Sequence, residues 1–90
     1  MYTVDLTPQA LEDIAFFKKS DPNSFKKIQK LLIELENHPE TGTGKPERLK
    51  GEGGNKWSRR ITEKHRLLYR IFEEIVVVQV VQAYGHYDDK

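Results

Sequence analysis

The stretch WSRRITEKHRLLYRIFEEIVVVQVVQA, residues 57–83, reads as three consecutive β-strands. WSRRIT (57–62) turns through Glu63, Lys64 and His65 into RLLYRIF (66–72), and Glu73-Glu74 leads into IVVVQVVQA (75–83). The runs are rich in β-branched and aromatic residues, and the breaks between them are short and polar, which predicts antiparallel neighbours. The last run is apolar on both faces and is expected to be the buried central strand. The Glu-Glu turn lacks the glycine or asparagine of a tight primed hairpin, so its type stays open.

Working toward the N-terminus, residues 39–56 (PETGTGKPERLKGEGGNK) hold five of the six glycines and read as a long loop, of the kind that often carries function. Ahead of it, Asp21-Pro22 is a helix-start signal, and Phe25, Ile28, Leu32 and Leu35, with Leu31 beside them, recur at helical spacing. This predicts a helix over 22–37, ended by Asn37-His38-Pro39. Thr7-Pro8 starts an earlier helix over 8–19, with Ala10, Leu11, Ile14 and Phe17 on one stripe. A turn of two or three residues between the two implies an antiparallel helical hairpin whose stripe packs on a sheet. YTVDL (2–6) reads as an opening strand. The expected fold class is α+β in the order βααβββ, two helices on an antiparallel sheet, with residues 1–90 as a single domain.

Hydrophobic residues make up 37% and charged residues 32%, a composition that excludes disordered and membrane-embedded classes. No run approaches the roughly 20 apolar residues of a membrane span. The N-terminus has neither a basic nor an apolar leader region, so a cytoplasmic location is expected. With no cysteine, disulfides, thiolate zinc sites and cysteine nucleophiles are excluded. The net charge of +1 conceals a segregation: residues 45–70 carry nine Lys/Arg against three Asp/Glu, a net +6. That local field attracts polyanions.

A phosphate-loop reading of the glycine-rich segment fails, because Pro46 follows Gly44-Lys45 where Ser or Thr is required. His38, His65 and His86 are scattered without metal-ligand spacing, so no metal and no cofactor is expected. His38 fits a helix C-terminus, and His65 a solvated turn. His86, flanked by Tyr84, Gly85 and Tyr87, fits either a packed anchor or a proton donor beside stacking surfaces. Arg59, Arg60, Arg66 and Arg70 lie on two strands joined by a short turn that sets Arg60 nearly opposite Arg66. Like charges facing across a ladder are destabilising unless an anion sits between them, and arginine matches phosphate by bidentate hydrogen bonding. The alternatives are pairing with Glu47, Glu52 or Glu63, or side chains that simply point into water. Trp57 and Tyr69 add stacking or core surface. Glu47 sits within KPERLK among Lys45, Arg48 and Lys50, cations that favour an ionised carboxylate.

The segments GKPERLK, WSRRITEKHRLLY and the C-terminal GHY together resemble the YoeB (Txe) branch of the RelE-like toxins, over nearly the whole chain. The resemblance implies a microbial-ribonuclease-like α+β fold and the toxin half of a type II toxin–antitoxin pair. Such a toxin enters the ribosomal A site and cuts mRNA by 2′-OH attack, leaving 2′,3′-cyclic phosphate and 5′-OH ends. It implies Glu47 as general base, His86 as general acid, Tyr87 as the aromatic residue beside it, and Arg66 as holder of the scissile phosphate. It also implies Lys50 and Arg60 as basic residues lining the site, and Lys45 and Arg59 join them as RNA-binding candidates of the same basic stretch. The implied partners are a YefM/Phd-like antitoxin, the 70S ribosome, mRNA and a second copy of the chain in a homodimer, with no membrane. The chain departs from the family pattern by continuing past the His-Tyr pair through Asp88, Asp89 and Lys90. Two other classes fit the residues less fully: a non-catalytic toxin on the same scaffold, as in ParE-like gyrase poisons, and a basic RNA-binding module with a structural His86.

Overall fold

The computed structural model describes residues 1–50 and 55–84. Its elements are β1 (Thr3–Leu6), α1 (Pro8–Ser20), α2 (Pro22–Leu35), β2 (Glu47–Arg48), β3 (Lys56–Arg60), β4 (Arg66–Phe72) and β5 (Val77–Gln82). Both helices begin as their sequences dictate. Thr7 Oγ1 accepts the Ala10 amide at 3.1 Å with Pro8 at the first helical position, and Asp21 Oδ1 accepts the Ser24 amide at 3.3 Å ahead of Pro22. The hydroxyl and amide of Ser24 hold the Asp21 carboxyl below its ordinary range. Asp21 alone joins the helices, a tighter connection than the two or three residues expected.

The βααβββ order and the packing of two helices on a sheet are present, with two refinements. The sheet is mixed: its order is β1-β5-β4-β3-β2, and β1 runs parallel to β5 with Thr3 opposite Val77 and Leu6 opposite Val80. The helical hairpin carries the chain from β1 at one edge of the sheet to β2 at the other, and the antiparallel return through β3 and β4 brings β5 back beside β1. The long loop also contains β2, which pairs antiparallel with β3 through Glu47–Ser58 and Arg48–Trp57. β5 is an interior strand as expected, although β4 holds the middle of the sheet. Ile75 and Val76, expected within the last strand, belong instead to the turn. Both are exposed, and Val76 sits at φ 57°, a left-handed conformation uncommon for a β-branched residue.

The core lies between helices and sheet. Ala10 and Phe17 of α1 and Ile28, Leu31 and Leu35 of α2 meet Leu67, Tyr69 and Ile71 of β4 and Val78 and Val80 of β5. Each fully buried aliphatic side chain contributes about 1.5–3 kcal/mol. Strand alternation assigns the rest. Trp57 and Arg59 share the helix-facing side with Leu67 and Tyr69, while Lys56, Ser58 and Arg60 share the opposite face with Arg66, Leu68 and Arg70.

Candidate active site

The face away from the helices is laid out in rows by the strand register. Glu47, Ser58, Leu68 and Gln82 line up across β2, β3, β4 and β5. Two residues along, Arg60 stands directly opposite Arg66, the facing pair that the turn length implied. Neither arginine makes an ion pair among the described residues. Glu47 and Arg66 line one open depression of about 390 Å³, together with Leu49, Ser58 and Leu68. A carboxylate able to accept a proton and a guanidinium able to hold a phosphate therefore share one concavity, even though 19 positions separate them in the chain. Arg60 is exposed across the ladder from Arg66. Lys45 and Lys50 are exposed on either side of β2 and do not line the depression.

Arg59, grouped with the RNA-binding cations on sequence, is instead a buried structural residue. Strand alternation turns it to the helix side, where it is 0% exposed. All five of its N–H donors are used. Nε donates to the Tyr69 hydroxyl at 3.1 Å, Nη1 to Glu34 Oε1 at 2.9 Å and to the Thr43 carbonyl, and Nη2 to the carbonyls of Thr41 and His38. Glu34 also accepts Thr43 N at 2.9 Å and Thr43 Oγ1 at 2.7 Å. Burial pushes the Glu34 carboxyl up, but the Thr43 bonds and the Arg59 charge outweigh it and hold the group below its ordinary value. Burial pushes the Tyr69 phenol up, so it stays protonated and donates to the Pro39 carbonyl at 2.7 Å. This knot fastens the 38–44 segment that leads into Glu47. Gly44 completes the fastening: at φ 87° it accepts the Arg60 amide at 2.7 Å, and a Cβ there would stand 2.9 Å from the Arg60 carbonyl oxygen.

Other positions missed on sequence support the chain end. Asp13, 3% exposed, accepts the backbone amides of Ala83 at 2.9 Å and Tyr84 at 3.2 Å, and Gln9 Nε2 at 2.9 Å. Its signal was an acidic residue set within the apolar stripe of α1, three positions after Ala10 and four before Phe17. His65, expected in solvent, is half-buried and stacked on Tyr84 at 4.5 Å, with Phe17 edge-on at 5.2 Å. His86 and Tyr87 lie outside the described residues, as does Glu52. Among the described residues no cluster of His, Asp or Glu is arranged to hold a metal, and no helix is long and apolar enough to cross a membrane.

A family of sequences described as YoeB-like toxins of bacterial type II toxin–antitoxin systems matches residues 6–87. The chain belongs to that family. It is 39% identical over 87 residues to toxin YoeB of Mycobacterium bovis, covering 97% of this chain and 100% of that one. Among solved structures, the YoeB dimer of Staphylococcus aureus superposes with a TM-score of 0.82 at 34% identity, covering 96% of this chain and 98% of that one. The YoeB in a heterotetrameric YoeB–YefM complex from the same species gives 0.81 at 35% identity, covering 97% and 99%. This YoeB-like toxin thus carries the RelE-type α+β fold expected from its sequence, and the match spans every candidate site residue, including those outside the described segments.

Proposed function

We propose that this YoeB-like toxin is a ribosome-dependent mRNA endoribonuclease in which Glu47, Arg66, His86 and Tyr87 form the catalytic set. The observation that carries the reading is the shared depression of Glu47 and Arg66, beside an Arg60–Arg66 pair whose mutual repulsion a phosphate would relieve. RNA brings its own nucleophile. Glu47 takes the 2′-OH proton, the 2′-oxygen attacks the adjacent phosphorus, and Arg66 and Arg60 stabilise the phosphorane charge. His86 protonates the departing 5′-oxygen, and Tyr87 offers a stacking surface beside it. The products are a 2′,3′-cyclic phosphate and a 5′-OH, and none of these steps requires a metal. Lys45 and Lys50 draw the RNA backbone through long-range charge.

The ribosome supplies substrate orientation, which contributes several kcal/mol through proximity alone. The reading includes a cytoplasmic location, a YefM-type antitoxin whose acidic segment covers the +6 stretch, and a homodimer, as in the two S. aureus assemblies. The test is single-turnover cleavage of ribosome-bound mRNA with analysis of product ends. Glu47→Ala and His86→Ala each slow the reaction by roughly 10²–10⁴. A 5′-phosphate product, or full activity in both variants, overturns the mechanism and returns the chain to the non-catalytic toxins of the same scaffold.

A further inference from the structure

A second depression of about 170 Å³ opens on the same face. Leu49 and Leu68 line both depressions, so the two are neighbours. The apolar walls of the second come from Leu49, Leu68 and Val81, while Lys56, Arg70 and Gln82 bring polar groups to it. Its shape follows from an irregularity in the sheet. The register between β4 and β5 shifts at Leu68/Tyr69, which leaves Val81 as the extra residue of a bulge between Val80 and Gln82. Bulges are over-represented beside active sites because they re-aim side chains.

The register also sets the charges. Lys56 stands opposite Arg70, two residues from the Ser58–Leu68 row on the side away from Arg60–Arg66. Four residues of strand separate the two cationic rows, about 13 Å, comparable with the reach of a short run of RNA backbone. Between them lies an apolar hollow of the kind that accepts the face of a base. Gln82 Nε2 donates to the Tyr84 carbonyl at 3.4 Å, and the Gln82 carbonyl oxygen accepts no hydrogen bond from the described residues. Such a carbonyl oxygen can accept a base N–H.

We propose that this hollow is a nucleobase subsite that seats the base of the mRNA nucleotide next to the cut, with the adjoining phosphate drawn by Arg70 and Lys56. The proposal rests on the endoribonuclease reading of the neighbouring depression and adds to it a sequence-reading element in the toxin itself. Apolar contact with the face of one base biases cleavage among codons without abolishing it.

The experiment uses ribosome-bound messages that differ only at the nucleotides flanking the cut, each of the four bases or an abasic residue, under single-turnover conditions. With the wild-type toxin an abasic residue at one flanking position slows cleavage roughly five- to hundredfold. Val81→Trp, which fills the hollow, slows the intact message by a similar factor and shows no further loss on the abasic one. Gln82→Leu narrows the spread of rates among the four bases at that position, whereas a preference imposed by the ribosome is untouched by it. Wild-type cleavage that ignores both flanking bases overturns the subsite and leaves the nuclease reading standing; absence of wild-type cleavage overturns both. Losses that multiply in Val81→Trp also overturn the subsite, as does a Gln82→Leu variant with an unchanged base spread. Weakened antitoxin binding in both variants with an unchanged base profile would reassign the hollow to the antitoxin. Gln82→Leu decides the matter even if Val81→Trp does not fold.

Discussion

Arg59→Ala separates two roles that arginine could play in this toxin. If Arg59 contacted RNA, its loss would lower activity and leave the fold alone. The structure predicts the reverse. Its five donors serve the Glu34 carboxylate, the Tyr69 hydroxyl and the carbonyls of His38, Thr41 and Thr43. Truncation leaves Glu34 with Thr43 as its remaining hydrogen-bond donor and strips three loop carbonyls of their donor. Removing one partner of a buried ion pair costs about 3–5 kcal/mol, a large part of the roughly 5–15 kcal/mol that holds a domain together. At about 4–8 °C per kcal/mol for a chain of this size, the melting temperature falls by about 12–40 °C. Arg59→Lys retains the charge but offers three donors in place of five, and falls between. The assay is thermal and urea unfolding of the purified toxin, with cleavage measured well below the melt. A melting temperature within about 2 °C of wild type, alongside reduced cleavage, would refute the structural role and restore Arg59 to the RNA surface.

Asp13→Asn presents one acceptor oxygen where the carboxylate presents two to Ala83, Tyr84 and Gln9, so urea unfolding is expected to show a loss of about 1.5–3 kcal/mol; an unchanged midpoint would contradict it. Cleavage by this variant should also slow below its melt, since Tyr84 lies two residues ahead of His86. The lowered Glu34 pKa makes a stabilising contribution that is complete above its ordinary value of about 4.5 and lost as pH falls through the folded-state value. Acid unfolding of Glu34→Gln should therefore show a weaker pH dependence in that window, and profiles parallel to wild type would count against the argument. Val76→Asn relieves a left-handed β-branched residue and should raise stability by about 0.5–1 kcal/mol, whereas a lower melting temperature would show that the turn depends on the valine.

Much of this was legible in the chain. Apolar spacing located both helices, the Thr7-Pro8 and Asp21-Pro22 pairs marked their starts, and the length of the turn after Thr62 set Arg60 against Arg66. The misreadings have physical causes. Arg59 and Arg60 were grouped because they are adjacent, yet adjacency in a strand sends side chains to opposite faces. β2 is two residues long, too short for any periodicity to register. Ile75 and Val76 continue an apolar run, and composition alone does not reveal a turn that places a β-branched residue at positive φ. The parallel pairing of β1 depends on a partner more than 70 residues away, and no local pattern reports it. Asp13 was unremarked because its partners are backbone amides, which look alike in every sequence.

The parallel seam between β1 and β5 also orders events during synthesis. Thr3 pairs with Val77, and Thr7 Oγ1 donates to the Val81 carbonyl at 2.6 Å, so the first strand made is among the last to find its place. Val78 and Val80, which close the core beneath both helices, are translated after every other core side chain except Ala83. Domains fold as units while they emerge, and contacts distant in sequence form late. A nascent chain that ends before Val77 has a helical hairpin with no β5 to cover it and an N-terminal strand with no neighbour. The translating ribosome that makes the toxin has therefore released nearly the whole message before a folded toxin exists to meet any ribosome.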